Sequence, residues 1–425
     1  MSQAGMPTRG VDIARINGTM KTAFSIVFWI VSLTPSSLGL GPKPQSQTAK
    51  GTVSPIWRLD LRSVGFTGFE PKQETWGLHL RPNPLCFSDS KVLIATFITR
   101  EEVTTLARRK RTAEPLPLRL HGIFMDADAG KVEATKEWPI TRPRGGIIAA
   151  GDGKFAVVAP ALIALHSPSL ELVKDLKLSS VQQSDLWDFH SSPSGKSIVA
   201  EYHTPEAYFQ WIDTNSLTPR PVSIDTVLFS ISDNEVAVRH NPYVKPQGFL
   251  EEVLIRTGDD PWRTICYVPA GRVGNCGRPQ FLSNDVLALL MPHRFSLLPR
   301  TGGDEFSKVS FPDDEWLDRP FYPSSDGKRF AVTVWKHEGG SAFFDVSSHS
   351  VLKRIVVYDI PKRQEVYAFD AKSLNVKSAS GVALSPDGSR LALLTEGVVQ
   401  VYQLLFGQKD AVDAKGMSLG NGRPR

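Results

Sequence analysis

Cysteine is scarce in this chain: three residues in 425, at positions 86, 266 and 276. At least one is therefore unpaired within the chain, and a dense disulfide framework is excluded. No Cys-x-x-Cys pair occurs, so a zinc site of that type is excluded too. Long apolar runs are also missing. The longest candidate covers residues 23–33, and a helix needs about 20 residues to cross a bilayer core. No stretch carries a convincing helical period. The sequence lacks a G-x-S-x-G elbow, a G-x-x-x-x-G-K-[ST] loop and an H-E-x-x-H helix, which removes the sequence grounds for the commonest hydrolase, nucleotide and zinc-protease chemistries. Charge of one sign is not in large excess. Lys and Arg number 49 against 44 Asp and Glu, a net charge of +5. That is a mixed solvated surface, without the clustered basic face of a nucleic-acid binder.

What the chain does have is a repeated turn. Ser385-Pro386-Asp387-Gly388 stands between Val382-Ala383-Leu384 and Leu391-Ala392-Leu393-Leu394. Asp bonds its own turn backbone and Gly tolerates positive φ, so this reads as a tight turn between two short apolar strands. Looser copies are Gly151-Asp152-Gly153, Ser192-Pro193-Ser194-Gly195 and Ser324-Ser325-Asp326-Gly327. Shorter ones are Ser88-Asp89, Ser232-Asp233-Asn234 and Ser283-Asn284-Asp285. The first apolar residues after these seven turns are Val92, Phe155, Ile198, Val236, Val286, Phe330 and Leu391. Their spacing is close to the ~40–50 residues of a propeller blade, with insertions at residues 99–117 and 337–350 stretching two gaps.

The seventh unit supplies only three strands, and residues 56–61 alternate apolar and polar with period two. Pairing that N-terminal segment with residues 398–405 closes the ring and removes open sheet edges. The expected fold is therefore all-β, a seven-bladed β-propeller closed by an N-terminal strand, with six or eight blades as the neighbouring counts. It occupies residues 53–406, and residues 407–425 read as a disordered tail.

At this point the chain resembles a known class. Ser385 to Leu394 is similar to the repeat of bacterial WD-repeat-like propellers of the Tol-system type, with its S-P-D-G turn. Residues 192–200 and 324–332 carry the same likeness. The Gly-His and Trp-Asp signatures of eukaryotic WD repeats are missing, and Trp187-Asp188 precedes a turn instead of ending a strand. The resemblance implies a fold. Its members bind proteins, peptides or small ligands and some are enzymes, so it implies little about activity.

The N-terminus reads as an address. Lys21 precedes the apolar run, Pro35 breaks it, and Ser37-Leu38-Gly39 offers small residues for a signal peptidase. Residues 1–39 are thus expected to be an extension plus signal peptide, and residues 40–52 a flexible linker. The expected location is periplasmic or extracellular, with an uncleaved membrane anchor as the alternative. Cys266 and Cys276 flank a Pro- and Gly-containing loop and are candidates for a disulfide after export, while Cys86 reads as a buried apolar residue.

Three arginines form the candidate ligand site. Arg278-Pro279 and Arg319-Pro320 each stand five residues before a turn serine, and Arg144 precedes its turn by nearly the same distance. If the turns join first and second strands, these arginines open first strands on one rim of the axial channel. Guanidinium groups there suit a carboxylate or phosphate. His203, His240, His293 and His337 end four successive second strands and read as polar loop residues, too far apart for one metal. Asp313-Asp314-Glu315 and Asp259-Asp260 read as solvated turns. Arg108 to Arg111 reads as an exposed insertion. The expected function is non-catalytic: a cell-envelope binding or scaffold module for a protein or an anionic small ligand, monomeric, with no cofactor and no nucleic acid. The alternative is a propeller-type hydrolase or dehydrogenase using the axial channel.

Overall fold

Second strands in this chain are apolar at nearly every position, and period-two geometry sends successive side chains to opposite faces of a sheet. Both faces must then be covered. In the computed structural model they are: Phe330 and Val332 pack into one core, while Ala331 between them packs into the next. Ile94 likewise faces one neighbour, and Leu93 and Ala95 face the other. The described residues are 54–66, 83–100, 118–140, 145–159, 162–177, 186–203, 207–222, 224, 228–240, 250–258, 260–269, 278–291, 293–317, 320–338, 349–371 and 381–404. The signal-peptide, linker and tail segments expected from the sequence lie outside them.

The strands form seven antiparallel sheets, which are seven propeller blades. Strand β1 (Trp57–Asp60) comes first and belongs to the last blade. Blade 1 holds β2 (Leu85–Phe87), β3 (Val92–Arg100), β4 (Leu118–Asp126) and β5 (Val132–Ile140). Blade 2 holds β6 (Gly146–Ala149), β7 (Phe155–Ala159), β8 (Leu162–His166) and β9 (Leu172–Lys177). Blade 3 is β10 (Leu186–Ser191), β11 (Ser197–His203), β12 (Ala207–Asp213) and β13 (Thr218–Val222). Blade 4 is β14 (Leu228–Ile231), β15 (Glu235–His240), β16 (Leu250–Thr257) and β17 (Arg263–Pro269). Blade 5 is β18 (Arg278–Phe281), β19 (Val286–Met291), β20 (Arg294–Pro299) and β21 (Ser307–Ser310). In blade 6 the first strand is split into β22 (Glu315–Leu317) and β23 (Tyr322–Pro323), both paired with β24 (Arg329–Glu338), and β25 (His349–Asp359) and β26 (Gln364–Asp370) follow. Pro320 lies in the split and brings no N–H to a ladder. Blade 7 is β27 (Gly381–Leu384), β28 (Arg390–Thr395) and β29 (Val398–Gln403), with β1 as its outer strand.

The ring has no open end. Trp57 pairs with Val401 and Asp60 with Val398 in antiparallel register. Trp57 Nε1 also donates to Ala127 O at 2.8 Å, tying the closing strand to blade 1. Seven apolar cores fill the seven junctions between blades, including one that joins Leu61, Leu85 and Leu93 to Leu394 and Val401 across the closure. The core between blades 5 and 6 is the most aromatic. Phe295 meets Phe321, Phe330 and Tyr358 edge-on, with ring centroids 5.3–5.7 Å apart, the geometry that ring quadrupoles favour.

On one face the turns between first and second strands interlock around the ring. Within the last blade, Ser385 Oγ donates to Asp387 Oδ1 at 2.6 Å and accepts from Arg390 N at 2.9 Å. Between blades, Asp326 N donates to Pro386 O at 2.9 Å, and Arg329 donates to Asp387 O at 2.9 Å. Arg390 reaches Ser90 O at 2.9 Å and pairs with Asp128. Gly153 packs on Asp89, Gly327 on Ser283, and Gly195 on Ala149 and Ala150. Ser194 donates to Asp233, and the Asn284 amide donates to Asp233 Oδ2 at 2.8 Å. Every blade junction is thus sealed by a turn.

Two predictions follow from this ring. Gly195 has φ +74, and a Cβ there would lie 2.0 Å from Ala149 O. Gly195→Ala should cost more than ~2 kcal/mol from strain plus backbone clash. Gly258, at φ +53 with nothing within 4 Å, should cost only about 1 kcal/mol as Ala. Denaturant unfolding of both variants measures the difference.

Asp233 supplies the second. Burial alone would raise its pKa, but bonds from Ser194, Asn284 and Ser192 hold it below the usual carboxylate value. A depressed folded pKa gives stability present above the unfolded value of ~3.9 and lost as pH falls through the folded one. Asp233→Asn should be less stable at neutral pH and should lose less stability on acidification to about pH 3. Urea midpoints across that pH window check it.

Candidate functional site

First strands face the axis, so their residues make the channel wall. A cavity of about 250 Å³ lies there, lined from all seven blades by residues including Leu85, Ile147, His190, Ser230, Gln280 and Val382. Several of its polar side chains already serve the ring. Asn83 Nδ2 donates to Val382 O across the closure. Gln280 Nε2 donates to Phe321 O at 2.7 Å, and Phe321 N donates to Gln280 Oε1 at 2.8 Å. Ser230 Oγ accepts from Phe281 N at 3.0 Å. These bonds tie first-strand segments together at three of the seven junctions, as buried polar groups require.

Cys86 also lines the channel. Its Sγ sits 3.6 Å from Ile147 O, and burial pushes the thiol pKa up to about 12. A thiol held protonated is a poor nucleophile, which agrees with the apolar role read from the sequence. His190 is buried on the same wall. Its Nε2 makes no hydrogen bond and stands 3.6 Å from the Glu201 carboxylate. Nothing in the sequence around Phe189-His190-Ser191 singled it out.

Of the three candidate arginines, Arg278 is the first residue of β18, opposite Leu290. Its side chain, and Arg144 and Arg319 entirely, lie outside the described residues. Arg108 to Arg111, Asp259 and Cys276 lie outside them as well. Cys266 sits on β17 opposite Val253, and burial pushes its thiol up to about 11, with Glu305 adding to the shift. His203, His240 and His337 occupy strand ends, with side chains outside the described residues. His293 is described, and its Nδ1 lies 2.5 Å from Glu315 O, a link between blades 5 and 6. Among the described residues no three His, Cys, Asp or Glu side chains are grouped to hold a metal.

The structure divides Asp313-Asp314-Glu315, which the sequence presents as one solvated turn. Asp314 is exposed and pairs with Lys336 at 2.7 Å, as a solvated acid does. Glu315 instead begins β22, and its side chain is 3% exposed. It is held by Lys353 and by Arg354 at 3.0 Å. Arg354 in turn lies over the Phe311 ring, 5.5 Å from its centroid. The chain needs this because a buried carboxylate is tolerated only with counter-charges. Those counter-charges come from β25, far along the chain, so the local sequence gave no sign of them.

No protein-family model matches the chain, and no curated protein matches its sequence. Solved structures match it in shape. A chain in the crystal structure of a mitotic checkpoint complex aligns over 88% of this chain and 99% of its own, at 11% identity and TM-score 0.46. Hsv2 from Kluyveromyces lactis aligns over 77% of this chain and 96% of its own, at 11% identity and TM-score 0.44. Raptor from Chaetomium thermophilum aligns over 77% of this chain and 28% of its own, at 10% identity and TM-score 0.48. At these values the likenesses carry no functional assignment.

Glu315→Ala should destabilise the protein by at least ~1 kcal/mol, yet by less than the 3–5 kcal/mol of a fully buried pair, because Lys353 and Arg354 both reach water. Asp314→Ala should leave the unfolding midpoint nearly unchanged. Parallel thermal melts of the two variants provide the check.

Proposed function

We propose that this chain is a non-catalytic binding module, exported from the cytoplasm, whose partner is a protein or an anionic ligand seated where the first strands begin. One observation carries the reading: the two faces of the propeller are built differently. On the turn face no connection between strands is longer than the seven residues between Pro299 and Ser307. The opposite face, where first strands start, receives the connections from Arg100 to Leu118, from His240 to Leu250, from Glu338 to His349 and from Asp370 to Gly381. Long connections on a rigid scaffold are where recognition residues concentrate. Arg144, Arg278 and Arg319 belong to that start face by sequence, and there they offer forked donors to carboxylate or phosphate. Export rests on Lys21, the apolar residues 23–33 and the small residues at Ser37 and Gly39.

Two measurements test this. A photoreactive side chain at Asp313, exposed on the start face between β21 and β22, should yield a discrete adduct in cells, and one at Asp152, on the turn face, should not. The Asp313 adduct should vanish when Arg144, Arg278 and Arg319 are all changed to Ala with the melting temperature unchanged. Adducts from Asp152 alone, or an adduct indifferent to the arginines, contradict the reading. N-terminal sequencing of the exported protein should start close to residue 40. An intact N-terminus in the cytosol contradicts export.

A further inference from the structure

A second polar cavity lies on the turn face, away from the axis. Its volume is about 240 Å³, and it is lined by Arg220, Asn234, Glu235, Thr257, Gly258 and Arg300. These residues come from three successive blades, and no apolar side chain is among them. Its charge balance is unusual. Glu235 is buried; its Oε1 accepts a hydrogen bond, and its Oε2 has an ion-pair partner but accepts no hydrogen bond. Thr257 Oγ1 donates to Oε1 at 2.9 Å, and Arg300 Nε stands 3.2 Å from Oε2 as an ion pair. Glu235 thus neutralises Arg300 but leaves the two terminal NH2 groups of that guanidinium free to donate. The Arg300 loop is fixed from below, because Arg263 donates to Thr301 O at 2.8 Å and to Arg300 O at 3.1 Å.

Arg220 contributes the unbalanced charge. Its guanidinium lies over the Trp211 ring, 5.1 Å from the centroid. Stacking occupies the flat face of a guanidinium and leaves its in-plane N–H groups for an anion. No acid pairs with Arg220 among the described contacts of this cavity. Two guanidinium groups therefore face one carboxylate, in a space with room for a small polar ligand. We propose that this cleft is a binding site for a doubly charged oxyanion, phosphate, either free or as the terminal group of a small monoester. Two guanidinium groups lining one small cleft favour a tetrahedral dianion over a lone carboxylate. The site is separate from the three arginines of the start face and does not depend on them.

The test uses the whole protein. Inorganic phosphate and glycerol 3-phosphate are titrated calorimetrically, with sodium chloride at matched ionic strength as the reference. Phosphate should bind and should raise the melting temperature above the chloride reference. Arg220→Gln should weaken that binding about tenfold or more while lowering the ligand-free melting temperature only slightly, since Arg220 is exposed and loses only its stacking on Trp211. Arg300→Ala is the less informative variant because it strips Glu235 of its counter-charge. Tighter binding of the monoester assigns a small phosphorylated molecule, equal affinity assigns the free ion, and either result supports the site. A melting temperature no higher in phosphate than in chloride overturns it. So does unchanged affinity in Arg220→Gln. Loss of phosphate binding in the Arg144→Ala, Arg278→Ala, Arg319→Ala variant would place the anion on the start face and overturn it too.

Discussion

A ring of blades stays shut only if each junction resists opening, and here the junctions are sealed on one face by the turn that joins first and second strands. The seal at Asp326 and Pro386 is a backbone hydrogen bond between two blades. The one at Gly195 is a backbone contact so close that only hydrogen fits at the Cα. At Asp233 a carboxylate is shared by Ser194 of one neighbour and Asn284 of the other. These contacts are short and local to the turn, and most involve backbone, which leaves little freedom for a blade to tilt. The seven apolar cores beneath them supply the non-directional stabilisation, and the turns fix how the blades meet.

The closing strand depends on the same arrangement. β1 supplies the outer strand of a blade whose other three strands lie more than 300 residues later, and Trp57 then bonds to blade 1 through Ala127 O. A closed ring has no free sheet edge along its circumference of junctions, which removes one route to aggregation. The opposite face carries fewer such links, among them His293 to Glu315 O and Asn83 to Val382 O. The longest connections join strands at that face, whereas every connection on the turn face is short.

Much of this was legible in the residues because it is local. A Ser-Pro-Asp-Gly turn carries its own hydrogen-bond partners, and Ser385, Asp387 and Gly388 play those parts within five residues of chain. The alternating segment around Trp57 was legible as the missing strand once three strands were counted in the last unit. What escaped was non-local. Glu315 looked like part of an acidic turn because Lys353 and Arg354, which bury it, come from another strand. Asn83 and Gln280 gave no hint that they lace neighbouring first strands together. The cleft of Arg220 and Arg300 joins residues of three blades, and no spacing along the chain marks it. Arg278 stands at the start of a first strand; its side chain, Arg144 and Arg319 fall outside the described residues.

Native-state hydrogen exchange tests the central claim most directly. If the turns seal the ring, the amides of Gly195, Asp326, Gly327 and Gly388 should exchange only through global unfolding, with protection that tracks total stability as denaturant is added. Amides of the long connections on the start face should exchange far faster. Fast exchange at the four turn amides, independent of denaturant, would show that the junctions open locally and would contradict the account.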